Sequence, residues 1–182
     1  MYLISAYFDE NTNKILKHLQ QRIADKTGND FMIRNNVMPH LTVSAIEARN
    51  IDVLIPEFEK VCRGKLQPLE EKSVANNTIN IVSLGQPFPR VIYAAPVLNE
   101  YMMNLSISIY NEFATIPETN ISKFYQPYSW MPHITLGKCL DKEQMRQAFA
   151  VLQDLFMPID GRITKIGLST VNPYREVMSV AL

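Results

Sequence analysis

Long apolar runs are missing from this 182-residue chain, and so is any excess of charge. No stretch approaches the ~18 consecutive apolar residues that a membrane-spanning helix needs. The 18 basic and 18 acidic side chains cancel to a formal net charge of zero. A protein that tracks a long phosphate backbone usually carries a basic excess or a basic tract, so the balance argues against a long duplex as ligand. Cysteine is equally scarce. Cys62 and Cys139 are the only two; they form no CxxC pair and no disulfide framework. HxH and HExxH are absent too, which leaves no recognisable metal site. The opening "MYLISAYFDENTNK" lacks a basic n-region and a small-residue cleavage site, and is read as a first strand. These absences favour a cytoplasmic protein in a reducing compartment, away from membranes. What remains is an ordinary globular balance, with 47% hydrophobic and 20% charged residues.

The order of predicted elements runs twice along the chain. "YLISAYF" is rich in β-formers and leads into a helical pattern from about Glu10 to Lys26. Ile15, Leu16, Leu19 and Ile23 share one face of it, and Gly28 offers a stop. His18 falls off that face and reads as a solvated surface residue. "RVIYAAPV" starts the second half and precedes a helix from about Asn99 to Phe113, with Met102, Leu105, Ile109 and Phe113 inward. Later in the first half, Ile51, Leu54, Ile55, Phe58 and Val61 predict another helix, its start blurred by Pro56. Its counterpart is capped by Asp141 and carries Met145, Ala148, Phe149, Leu152 and Phe156. Strand-like pairs close both halves: "KLQPLEE" with "TINIVSLG", then "GRITKIGLSTV" with "REVMSVAL" across an "NPY" turn. The expectation is a single two-lobed α+β domain over 1–182, a pseudo-twofold duplication with half-repeats of about 1–88 and 89–182. Its sheets are expected to be antiparallel, since consecutive strands can pair through short turns.

One phrase is nearly verbatim in both halves. "MPHLTVS" and "MPHITLG" hold two of the three histidines in the chain. In a regular strand, side chains alternate between faces. His40, Thr42 and Ser44 would then share one face, as would His133, Thr135 and Gly137. Leu41, Val43, Ile134 and Leu136 would anchor the other. Each histidine and its threonine stand about 6–7 Å apart along the strand. Pro39 and Pro132 suit strand starts or edges, because they lack a backbone donor. Packed about a twofold axis, the two histidines would face one another across a cleft. Imidazoles titrate near neutrality, so one can take a proton while the other gives one. Threonine hydroxyls can hydrogen-bond the oxyanion of a phosphoryl group held between them.

These two HxTx motifs, each introduced by proline and set in matching halves, resemble the two-histidine (2H) phosphoesterase superfamily. Its 2',5' RNA ligase-like (LigT-like) and cyclic nucleotide phosphodiesterase branches are the most similar. The resemblance spans essentially the whole chain, and "FPRVIYAAPV" is similar to the strand that opens the second lobe in that superfamily. It implies two antiparallel sheets flanking a central, water-filled cleft, with helices outside. It also implies catalysis by His40, Thr42, His133 and Thr135, without metal or cofactor. Implied substrates are 2',3'-cyclic phosphate ends or 2',5'-linked nucleotides and RNA ends; some relatives act on cyclic phosphates of ADP-ribose. Which histidine is base and which acid stays open in a pseudo-symmetric motif.

Further candidates surround the motifs. Ser44 lies on the working face. Lys138 would reach a phosphate only if a bulge or the strand's end turned it inward, and it would act as a point charge. Tyr125, Tyr128 and Trp130 precede the second histidine and could stack a base or close the lobe. Tyr93 and Arg90 are weaker candidates. Cys139 has no His–Asn/Asp arrangement that would make it a nucleophile. The expected enzyme is a monomeric hydrolase acting on a small nucleotide or RNA terminus. The rival is a module of the same fold that binds such an end without turning it over.

Overall fold

Three helices begin where a short polar side chain satisfies the first free backbone donors. Asp9 accepts from the Thr12 amide at 2.9 Å, and the Thr12 hydroxyl donates to its other oxygen at 2.7 Å. Helix α1 (Glu10–Thr27) follows and stops at Gly28, whose φ of 68° is left-handed. Asn99 caps the helix Glu100–Phe113, and Asp141 with Gln144 forms a capping box for Lys142–Leu155. The Gly28 stop and the Asp141 cap are those expected from sequence. The computed structural model describes residues 1–64, 77–171 and 174–182. The strand expected at "KLQPLEE" and the Asn-Pro of the "NPY" turn lie outside the described residues.

In chain order the described elements are β1 (Tyr2–Phe8), α1, α2 (Phe31–Arg34), β2 (Leu41–Glu47), α3 (Ile55–Gly64), β3 (Thr78–Phe88), β4 (Val91–Pro96), α4 (Glu100–Phe113), β5 (Asn120–Ile121), β6 (Ile134–Lys138), α5 (Lys142–Leu155), β7 (Ile159–Val171) and β8 (Tyr174–Ala181). Short 3-10 turns stand at Ile51–Val53 and Lys123–Tyr125. Every strand pairing is antiparallel. The two expected sheets are continuous with each other. Strands run in the order β1-β2-β6-β4-β3-β7, and β7 pairs again with β1, so the hydrogen bonding closes a circuit. The length of β7 permits this: Ile159–Arg162 pair with β3, while Ile163–Thr170 pair with β1.

Two lobes result, and each draws on both ends of the chain. One contains β1, β2, β8 and the end of β7, backed by α3 and α4. The other contains β3, β4, β6 and the start of β7, backed by α1 and α5. Helix α1 therefore leaves β1 and covers the strand of the second motif. Leu16, Leu19 and Ile23 bury there, at about 1.5–3 kcal/mol each. A Cβ on Gly137 would crowd Ile92 and Leu140 at 3.1 Å and meet Ile23 of α1 at an ordinary 3.5 Å. In the same exchanged manner, α4 covers the strand of the first motif. Among the described residues no helix is long and apolar enough to cross a membrane.

Candidate active site

The two lobes touch through the motif strands. β2 and β6 share a single bridge, Leu41 opposite Ile134. Each of these residues immediately follows the histidine of its phrase, so a local twofold axis passes through the bridge. His40 and His133 flank it on either side. Pro39 and Pro132, both buried, set the last residue before each strand, where a missing amide donor disrupts no ladder.

Both rings are held in the same way. His40 Nδ1 lies 2.7 Å from the Met38 carbonyl oxygen, and His133 Nδ1 lies 2.9 Å from the Met131 carbonyl oxygen. A carbonyl only accepts, so each Nδ1 carries a proton and donates it. In the neutral ring Nε2 is then an unprotonated acceptor; in the charged ring it is a donor. The same backbone contact thus prepares either histidine for either half of a proton transfer.

The strands are not regular beyond the threonines. Ser5 of β1 pairs with Thr42 but Ile4 pairs with Ser44, which leaves Val43 as an extra residue. On the other side Tyr93 of β4 pairs with Thr135 but Ile92 pairs with Gly137, which leaves Leu136 extra. A bulge at the same place in both phrases reverses the alternation. Thr42 stays on the cleft face with Ser5, and Thr135 with Tyr93. Ser44 and Gly137 join the core faces of Ile4 and Ile92. The expected sharing of one face by histidine, threonine and the residue after next is therefore corrected at its third member. Ser44 is 2% exposed.

Aromatic rings wall the cleft unequally. The Tyr7 ring lies 6.2 Å from the His40 ring, and Tyr174 stacks near-parallel to His40 at 6.2 Å. The two tyrosine hydroxyls share a 2.6 Å hydrogen bond. Burial, then the Tyr174 hydroxyl, pushes the Tyr7 phenol far above its ordinary value, so Tyr7 stays protonated. Among the described residues His133 meets one ring, Tyr93, edge-on at 5.6 Å. Burial lowers the His40 pKa below the ordinary imidazole value; the Met38 carbonyl opposes this, and the charge of His133 adds to it. These influences favour the neutral form of His40. Among the described residues no cluster of three or more His, Cys, Asp or Glu is arranged to hold a metal ion.

A sequence model of the 2'-5' RNA ligase superfamily matches residues 15–172, which include both motifs. The chain belongs to the 2'-5' RNA ligase superfamily. A search of curated protein sequences returns no significant match. Among solved structures, Kluyveromyces marxianus Usb1 is similar over 100% of this chain and 97% of its own, at 8% identity and a TM-score of 0.46. The same protein with uridine monophosphate is similar over 100% and 96%, at 13% identity and a TM-score of 0.45.

In this superfamily member the two motif histidines flank the Leu41–Ile134 bridge, whereas the substrate-binding candidates from sequence divide. Trp130 is 6% exposed, and its indole donates to the Thr42 carbonyl at 3.0 Å. It is a strut between the loop of one motif and the strand of the other, with no free face to stack a base. Tyr125 packs half-buried against the core. Tyr128, 85% exposed with a φ of 66°, lies in a groove with Ile107, Tyr110 and Asn111 of α4. Lys138 does gain the bulge that an inward position required, and it pairs with Val91 on the Tyr93 side. Its ammonium sits 5.8 Å from the Phe31 ring centre. Arg90 donates to the Leu140 and Cys139 carbonyls and so braces the end of β6.

Sequence reasoning passed over Tyr7, Tyr174, Lys165 and Glu176. Tyr7 could have been found from the alternation of "SAYF", which puts Ser5 and Tyr7 opposite the core residues Ala6 and Phe8. No local pattern announces Tyr174, which reaches His40 from the last strand of the chain.

Proposed function

We propose that this protein is a phosphoesterase acting on 2',3'-cyclic phosphate or 2',5'-linked ends of nucleotides or RNA. The observation that carries the proposal is the matched mounting of His40 and His133 about the Leu41–Ile134 bridge, each with Nδ1 engaged and Nε2 available. In this scheme the phosphate sits between the two HxT pairs. His40 Nε2 takes the proton of an attacking water or ribose hydroxyl as the new P–O bond forms. His133 Nε2 gives its proton to the departing ribose oxygen as the old bond breaks. Thr42 and Thr135 donate to the nonbridging oxygens, where charge accumulates. His40 is assigned as base because burial and the neighbouring His133 charge favour its neutral form. In the reverse, ligation-like direction the two roles exchange. No metal is required by the scheme. The free thiols of Cys62 and Cys139 fit a reducing, cytoplasmic setting.

The test is a panel of 2',3'-cyclic nucleotides, 2',5'-dinucleotides and ADP-ribose cyclic phosphate, assayed with EDTA present. Turnover of at least one compound is expected. Tight calorimetric binding without product would instead favour a non-catalytic binding module. For the active compound, kcat/KM should fall on the acid side as His40 becomes protonated. Because its pKa is lowered, that acid limb should lie below the ordinary histidine value of about 6.5. An acid limb at or above that value would remove His40 from the base role.

A further inference from the structure

Although both histidines are mounted alike, among the described residues an ion pair stands on the His40 side. Lys165 of β7 is the direct register partner of Tyr7, and its ammonium lies 4.5 Å from the centre of the Tyr7 ring. The same ammonium meets Glu176 of β8 at 2.9 Å. These side chains are 38% and 37% exposed, so solvent or a ligand can reach both. The second oxygen of Glu176 accepts from the Ser179 hydroxyl at 2.9 Å, which keeps the carboxylate in place when the lysine moves. Gly167 forms the floor: a Cβ there would stand 2.8 Å from the Tyr7 ring and 3.3 Å from the Glu176 carboxylate. The absence of a side chain at Gly167 is what lets ring and carboxylate approach from two directions.

The Lys165 ammonium lies over the Tyr7 ring, which itself stands 6.2 Å from His40. A second phosphate on the same substrate could reach it. We propose that Lys165, with Glu176 as its resting partner, forms a second anion subsite beside His40 that selects substrates carrying a second, non-reacting phosphate. This rests on the phosphoesterase reading above. A lysine suits the role because its flexible stem and three donors let it bridge a carboxylate and an incoming phosphate. In the empty site Glu176 neutralises the ammonium. On binding, the phosphate competes for it, so selectivity reflects the difference between those two contacts.

The experiment compares a nucleoside 2',3'-cyclic phosphate with the same compound carrying a 5'-phosphate. The wild type should prefer the second by about tenfold in kcat/KM, mainly through KM, as expected for one charge-assisted contact. The preference should shrink as salt is raised. Lys165→Gln should bring the ratio of the two substrates close to one. Glu176→Gln should raise the ratio about threefold or more, because the lysine is no longer neutralised. An ion pair that merely supports Tyr7 predicts otherwise: both variants would lower both substrates by the same factor. That result, or a wild-type ratio near one, overturns the proposal. Should neither compound be turned over, calorimetric binding of a nucleoside 3',5'-bisphosphate against a 3'-monophosphate gives the same comparison. Loss of the bisphosphate advantage in Lys165→Gln would then support the subsite while catalysis itself had failed. Thermal unfolding of both variants confirms that they fold.

Discussion

His133→Ala and His40→Ala should each lower kcat/KM on the active substrate by about 10²–10⁴-fold, the range for a lost acid or base. The two losses separate when the leaving group changes. A natural ribose oxygen leaves as a strongly basic alkoxide and needs a proton from His133. A nitrophenyl phosphodiester releases a stable phenolate that needs little help. His133→Ala should therefore recover most of its loss on the nitrophenyl substrate, whereas His40→Ala should remain impaired on both. The reverse pattern would exchange the assigned roles, and full activity of His40→Ala on the natural substrate would end the acid–base scheme. The double variant should lose much less than the product of the single losses, because the two residues act as one unit. Neither ring lies in the closed core, so near-wild-type thermal unfolding is expected for both and serves as the control.

Trp130→Ala should have the largest effect on stability. The indole is 6% exposed, and removing a buried aromatic of this kind costs about 3–5 kcal/mol. For a domain of this size that corresponds to a fall of roughly 6–20 °C in Tm. Two causes add: the cavity left behind, and the Thr42 carbonyl that loses its 3.0 Å donor. Trp130→Phe isolates the second cause, because it keeps most of the ring volume and removes the N–H. It should cost about 1–3 kcal/mol for the carbonyl left without a partner and lower turnover by loosening Thr42. Tyr128→Ala is the contrast, since Tyr128 is 85% exposed and its replacement should change stability by less than about 0.5 kcal/mol. Calorimetric unfolding of the three variants checks the series. An unchanged Tm for Trp130→Ala would contradict the strut.

The local signals in the chain were dependable wherever a few neighbouring residues decide the outcome. Asp141 caps α5 and Gly28 ends α1, because capping is settled within one turn of backbone. The duplicated Pro-His-x-Thr phrase was visible for the same reason, since its i and i+2 residues share a face within a single short strand segment. Legibility failed one residue further on. The bulges at Val43 and Leu136 depend on how β1 and β4 pair with the motif strands, so Ser44 looked like a cleft residue and is a core one. Trp130 looked like a stacking platform because its partner, the Thr42 carbonyl, belongs to a distant strand.

By itself, then, the amino-acid sequence determined the α+β class, the Gly28 stop and Asp141 start of two helices, and the presence of two matching Pro-His-x-Thr phrases. Each of those rests on periodicity or on contacts a few residues long. Only the tertiary structure decided which lobe each helix covers, because α1 and α4 bury their apolar stripes against strands far away in the chain. It also decided the asymmetry of the cleft. Tyr7, Lys165, Tyr174 and Glu176 come from the first and the last strands, and pairing across β1, β7 and β8 brings them beside one histidine and not the other. A near-repeat in sequence marks two equivalent histidines; long-range strand pairing is what gives them different surroundings.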